Sequence, residues 1–241
     1  MKKILLICSW VCWLWPGTQP AQAQNWGISA SVGLGNYQMD DMKYLLESIM
    51  QTYPVEARVI SSFPPYTSVS AGLMKRIYPH LKAGAAYGYA TSGSKADYSD
   101  YSGSIRTTIT AVSHRLGAFG TYTPLAGERL ELSLRGQVDM SLTRMDVSSY
   151  LIAAGYSNGL ENKYRAINPQ ISAFAELMYN LEKFSLGLEG GYLLDIPGKL
   201  KGTGESQDLT DPADSRTTLT SDWTGWRAGV KAVIWLEGPG R

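Results

Sequence analysis

Between residues 130 and 142 the chain alternates without a break in parity. Leu130, Leu132, Leu134, Val138, Met140 and Leu142 fall on one set of positions, and Glu131, Ser133, Arg135, Gln137, Asp139 and Ser141 on the other. Side chains alternate across a strand but recur every 3.6 residues around a helix, so this segment is a strand with one apolar and one polar face. Seven more segments repeat the pattern at residues 26–34, 68–73, 81–89, 112–122, 167–179, 184–195 and 226–234. In the fourth of the eight, His114 and Phe119 break the parity. The links at residues 75–80, 123–129 and 180–183 are tight, and the others are long.

Eight such strands with alternating short and long links predict an all-β fold, an eight-stranded antiparallel transmembrane β-barrel with short periplasmic turns, long outer loops and one short helix in the first loop. No apolar run in residues 24–241 approaches the roughly 20 residues of a spanning helix, so a membrane would be crossed by strands alone. The 25 glycines, the 15 tyrosines and a slightly negative mean hydropathy suit a chain in which only every second strand residue meets lipid. A secreted soluble barrel of the lipocalin kind would alternate in the same way, with the apolar face inward. Aromatic positions separate the two. Trp26, Tyr122, Tyr179 and Phe184 lie on the apolar face at the short-turn end, and Tyr89, Tyr192 and Trp226 on the same face at the other. Two aromatic girdles flanking an apolar band are what the two bilayer interfaces select.

The N-terminus fits this destination. Lys2 and Lys3 precede an apolar run over residues 4–15, and Ala21-Gln22-Ala23 forms a small-x-small site, so residues 1–23 are expected to be a secretory signal peptide and residues 24–241 the barrel domain. Cys8 and Cys12 both fall in the leader, which leaves the expected mature chain without thiols. Loss of the two lysines moves the formal charge from +1 to −1, so nothing in the charge attracts nucleic acid.

With the apolar parity outward, Lys82, Arg115, Arg135, Arg227 and Lys231 face Glu131, Asp139, Glu176, Glu189 and Asp195 inside. Eight strands enclose a lumen about wide enough for side chains to fill, and charges removed from water are tolerated there chiefly when paired. Two functions suit this interior. One is a salt-bridged plug, making the protein a structural or surface-binding barrel that acts through its outer loops; the other is a narrow porin-like channel for ions or small solutes. A lipid-modifying enzyme would need an outward His, a hydroxyl and an acid near the outer rim. His114 is the lone strand histidine, and strand 130–142 offers it neither group on the apolar face, so no catalytic residue is assigned.

In the first loop, Met39, Met42, Leu46, Ile49 and Tyr53 recur at helical spacing behind Asp40 and Asp41, whose charges suit a helix N-terminus. This predicts an amphipathic helix packed on the barrel rim. Residues 92–107 read as a second loop carrying Asp97, Tyr98, Asp100 and Tyr101. Glu205, Asp208, Asp211, Asp214 and Asp222 gather in the last loop without the spacing of a calcium loop, so no metal or other cofactor is expected.

The segments Phe63-Pro64-Pro65-Tyr66, residues 87–94 and residues 97–103 resemble porin-superfamily outer-membrane β-barrel proteins of the small OmpA/OmpX type, in Bacteroidetes-like form. The resemblance implies residence in the cell outer membrane, contact with outer-membrane lipid and lipopolysaccharide, and handling by the barrel assembly machinery. It implies no catalytic motif. Such chains usually end on an aromatic residue, whereas here Ile234-Trp235-Leu236 is followed by residues 237–241.

Overall fold

The computed structural model describes residues 26–51, 58–61, 63–101, 103–153, 156–181, 183–204, 206–212, 214 and 216–236. The leader, Tyr53, Glu205 and the tail 237–241 lie outside the described residues. In chain order the elements are β1 (Trp26–Gly35), α1 (Asp40–Gln51), β2 (Arg58–Ser61), β3 (Tyr66–Tyr78), β4 (Leu81–Asp100), β5 (Gly103–Ala126) and β6 (Leu130–Ala153). They continue with β7 (Tyr156–Asn180), β8 (Phe184–Asp195), β9 (Gly198–Lys199), β10 (Lys201–Gly202), β11 (Thr220–Ser221) and β12 (Gly225–Leu236).

Eight of these strands close into a ring in the order β1, β3, β4, β5, β6, β7, β8, β12 and back to β1, every pairing antiparallel. Closure removes the unpaired strand edges that a bilayer would not tolerate. On the outside, Leu116, Leu134, Val138, Met140, Ile167, Ile171, Leu188 and Val230 are all exposed. On the inside, most of the polar parity is buried. An outward apolar band on a closed ring, with the charges turned inward, makes this a transmembrane β-barrel of the outer-membrane type.

Strand length divides the ring. β1, β3, β8 and β12 have 10 to 13 residues, enough to span a bilayer when tilted, whereas β4 to β7 have 20 to 25. This corrects the expectation of long second and third loops. β4 and β5 pair up to Asp100↔Gly103, and β6 and β7 up to Ala153↔Tyr156, so two tall hairpins stand above the apolar band. Just above the apolar band several outward positions are polar, as at Thr108, Thr110 and Ser148, and the two-residue hydropathy signal fades while backbone pairing continues. The short strands are replaced above the band by β2, which pairs with β4, and β10, which pairs with β7; β9 and β11 pair in the last loop.

The wall of tall hairpins needs a filling, and α1 with the last loop provides it. Met39, Met42, Leu45 and Leu46 from α1 and its entry pack with Ile109, Ala111, Met145, Val147, Tyr164, Leu200, Leu209, Leu219 and Trp223 in one apolar cluster. Asp41 fastens the helix to β11, its Oδ2 accepting from Thr220 N at 2.9 Å and Thr220 Oγ1 at 2.7 Å. Met39 and Phe63, both buried here, hold φ of 45°, a left-handed conformation uncommon for residues with a Cβ.

Candidate functional site

The lumen is filled in three layers. At the short-turn end, Met74, Phe119, Met178 and Val233 are buried together with Trp235 partly buried against them. Phe119 thus belongs to the inner face, and His114 to the outer one. The large inner side chains need small neighbours: a Cβ on Gly84 would come within 2.8 Å of the Phe119 ring, and one on Gly88 within 2.9 Å of Arg115 Nη2. Glycines on the polar parity are therefore the sockets for the plug.

The middle layer carries the charges. Nine of the ten residues expected inside are buried, and Glu189 has a side chain only 9% exposed. Lys82 bonds Glu131, whose Oε1 also accepts from Ser133 at 2.8 Å and Thr123 at 3.1 Å. Arg135 lies between two carboxylates, Nε 3.0 Å from Glu176 Oε1 and Nη2 3.0 Å from Glu189 Oε2. Lys231 reaches the same Glu176 oxygen at 2.7 Å. The Arg135 guanidinium also rests 4.5 Å from the Phe174 ring centre. Asp139 accepts from Gln137 at 2.7 Å. Arg115 and Arg227 form no ion pair among the described residues, and Arg227 instead sits 5.4 Å from the Tyr66 ring. Arg76 joins this face near the short turns, 4.8 Å from the Trp235 ring, so among the described residues the interior has six cations against five anions, not five against five.

The third layer seals the outer end. Asp195 Oδ2 accepts from Asn168 Nδ2 and from Trp223 N, each at 2.8 Å, and Trp223 Nε1 donates to Thr143 Oγ1 at 3.0 Å. Tyr37, Tyr66 and Trp223 stack around one another with ring centres 5.2 to 5.6 Å apart. Two pockets of about 30 and 20 Å³ lie within the lumen. Arg115, Arg135, Glu189 and Arg227 line the first, and Lys82, Glu131, Glu176 and Lys231 the second. Each has room for a water molecule or two and no more.

On the outside, Trp26, Tyr122, Tyr179 and Trp226 are exposed, while Tyr89, Phe184 and Tyr192 are half-buried. Tyr192 packs edge-on against Trp226 with ring centres 5.0 Å apart. His114 has a partner that strand 130–142 could not reveal, because it comes from the other side: the Tyr87 hydroxyl of β4 lies 2.7 Å from Nδ1, and Tyr89 packs edge-on 5.3 Å away. Among the described residues, the acidic side chains of the last loop form no metal-ligating group. Asp208 accepts from Gly202 N at 3.0 Å, Asp214 from Arg216 N and Thr217 Oγ1, and Asp222 from Thr224 N, so each stabilises its own turn. Those hydrogen bonds from Arg216 N and Thr217 hold the Asp214 carboxyl below its ordinary value. No group of three metal-ligating side chains occurs among the described residues.

No protein-family model matches the chain, and no curated protein matches it either. In shape it is similar to a major outer membrane protein from Thermus thermophilus, with a TM-score of 0.38 and 14% identity, covering 89% of this chain and 100% of that one. It is also similar to Ail, the attachment invasion locus protein of Yersinia pestis, with a TM-score of 0.35 and 11% identity, covering 89% of this chain and 99% of that one. A third is Neisserial surface protein A, with a TM-score of 0.35 and 10% identity, covering 88% and 96%.

Proposed function

We propose that this outer-membrane barrel is closed to solute flow and serves as a rigid membrane anchor for the structured cup that β4 to β7, α1 and the last loop build on its outer side. The observation that carries this reading is the Arg135 bridge between Glu176 and Glu189, set between an apolar layer at each end of the lumen. A conducting path would need a continuous line of water. Paired buried charges and close-packed aromatic rings oppose one, because separating the charges exposes an uncompensated ion in a narrow lumen. Function then belongs to the cup, a surface-binding or structural role with its tall hairpins presented outside the cell. The apolar band would be bathed in outer-membrane lipid and lipopolysaccharide, and the assembly machinery would be the partner during insertion. We read the chain as non-enzymatic, since the His114 ring is engaged by two tyrosines in place of an acid and a nucleophile.

A narrow channel is the second reading, favoured by the Arg115, Arg135, Glu189 and Arg227 pocket at mid-barrel. Single-channel recording of the refolded protein in a planar bilayer separates the two. The closed barrel gives a silent membrane apart from rare, brief openings. Steady conductance with ion selectivity would establish the channel.

A further inference from the structure

We infer that the outer rim of the barrel at β6, β7 and β10 is a binding site for the phosphate groups of an outer-leaflet glycolipid, the lipid A part of lipopolysaccharide. The inference rests on the reading of lipopolysaccharide as the surrounding lipid and adds where, and by which groups, it is held.

The site follows from register. Arg144 of β6 is the direct cross-strand partner of Arg165 of β7, and Arg165 is the direct partner of Lys201 of β10. Side chains at paired positions stand on the same side of the sheet, so three cations form one row about 10 Å wide across adjacent strands. The row faces outward, since Met145, Ala166 and Leu200 on the opposite parity are buried in the cup. It also begins where the apolar band stops. Leu142 and Ile167, two residues nearer the membrane on the same face, are exposed and apolar. Lys163 and Lys199 flank the row on the same parity and are exposed.

Like charges placed directly opposite each other destabilise a sheet. Their neighbours offset little of this. Arg144 has Asp146 at 3.4 Å and Lys163 has Glu161 at 3.0 Å, while Arg165, Lys199 and Lys201 have no ion pair among the described residues. Five cations against two carboxylates, set where acyl chains give way to headgroups, call for anions from the lipid itself. Guanidinium groups bind phosphate oxygens bidentately and in a fixed plane, which suits two arginines at the centre of the row. An ordinary solvated charged face would be expected to mix signs across the strands, as Asp146 and Lys163 do one step farther out, whereas the row Arg144, Arg165 and Lys201 carries one sign across three strands.

The test uses the mature chain refolded in detergent and moved into phosphatidylcholine nanodiscs carrying either bisphosphorylated lipid A or its dephosphorylated form. Retained lipid is counted by native mass spectrometry after release into neutral detergent. Bisphosphorylated lipid A should stay bound, and the dephosphorylated form should be lost. Replacing Arg144, Arg165 and Lys201 together by glutamine should weaken retention on the order of a hundredfold, taking each basic group near an anionic surface as worth a factor of about five. The same replacement at Lys95 and Arg106, which pair with Asp97 on β4, should leave it unchanged. Equal retention of dephosphorylated lipid A, or full retention by the triple variant, would overturn the site. Displacement of lipid A by inorganic phosphate at equal phosphate concentration would overturn the lipid as its occupant. Heat-modifiable gel mobility, read on every variant, scores the barrel in its membrane separately from the lipid it holds.

Discussion

Arg135 on β6 reaches past its neighbour β7 to Glu189 on β8, with Nη2 3.0 Å from Oε2, while its Nε meets Glu176 on β7 between them. One guanidinium thus ties three consecutive strands from inside the lumen. Lys231 on β12 shares Glu176, which extends the tie to a fourth.

Glu189 has no other ion pair among the described residues, whereas Glu176 keeps Lys231. Arg135→Ala should therefore strand mainly Glu189 and destabilise the barrel by on the order of 3–5 kcal/mol, the usual effect of removing one partner from a buried pair. Adding Glu189→Gln should recover a large part of the loss. Urea unfolding in detergent, followed by gel mobility, measures both; an equal loss in single and double variants would show that Arg135 acts through packing on Phe174 alone.

The lipid face is tested by depth. Leu134→Arg places a charge within the apolar band and should destabilise the barrel by about 2–4 kcal/mol, whereas Leu130→Arg, beside the 127–129 turn, should lose no more than about 1 kcal/mol. Folding yield into vesicles of fixed thickness gives the comparison. Equal effects would mean that the band does not end where β6 begins.

Parity was legible wherever lipid imposes it, and that is why Leu130 to Leu142 could be turned the right way round from the sequence. The pairing of the inner charges was not. Glu131 and Asp139 look near to Arg135 along the chain, but each is four residues away on the same strand, about 13 Å at the rise of a strand. The carboxylates that Arg135 meets come from β7 and β8, and their height is set by the stagger that closes the ring. The upper halves of β4 to β7 escaped for a different reason. Outside the bilayer a strand can be polar on its outward face, so Lys95 and Arg106 read as loop although both are paired. Trp223 had no periodic signal at all, lying in an irregular loop, yet it is 1% exposed and closes the lumen.

Two glycines on adjacent strands should respond in opposite ways. A Cβ on Gly117 would run into Val138 O and Asp139 Oδ1, and the backbone oxygen has nowhere to go. Gly136, on the lipid face, has nothing within 4 Å of its added Cβ. Gly136→Ala should stabilise by about 0.4–1 kcal/mol through the unfolded chain, and Gly117→Ala should destabilise by more than that. Unfolding midpoints in urea decide it, and equal shifts of the same sign would mean that Gly117 is no socket.

The outer seal depends on Trp223. Trp223→Ala empties the centre of the cup and removes the donor to Thr143, which should lower stability by about 3–5 kcal/mol. Trp223→Phe retains part of the packing and drops only the hydrogen bond, so its loss should be smaller. Limited proteolysis of the last loop should quicken in the order wild type, Phe, Ala. Unchanged cleavage would detach the cup from the seal.

Tyr37 makes the cup sensitive to alkali. Its hydroxyl donates to Pro64 O at 3.0 Å and bonds Ser92 Oγ, linking the loop after β1 to β4. Burial pushes the phenol from 10.0 up to about 12; the Ser92 bond offsets part of this, and nearby Tyr66 adds to it. A raised phenol means that the folded cup prefers the neutral form. Its contribution is fully present below about pH 10, where the unfolded phenol is also neutral, and is lost as pH rises from 10 toward 12 because only the unfolded chain ionises there. The outer cup should therefore loosen across that window while the membrane-embedded ring persists. The check is phenolate absorbance together with protease access to the loops, compared between wild type and Tyr37→Phe. The variant should lack one late-titrating phenol and show a flatter loss of protection above pH 10, though its protection at neutral pH should start lower for want of the Pro64 and Ser92 bonds. If wild type and variant lost protection with the same slope between pH 10 and 12, Tyr37 would not be the group that couples the cup to pH.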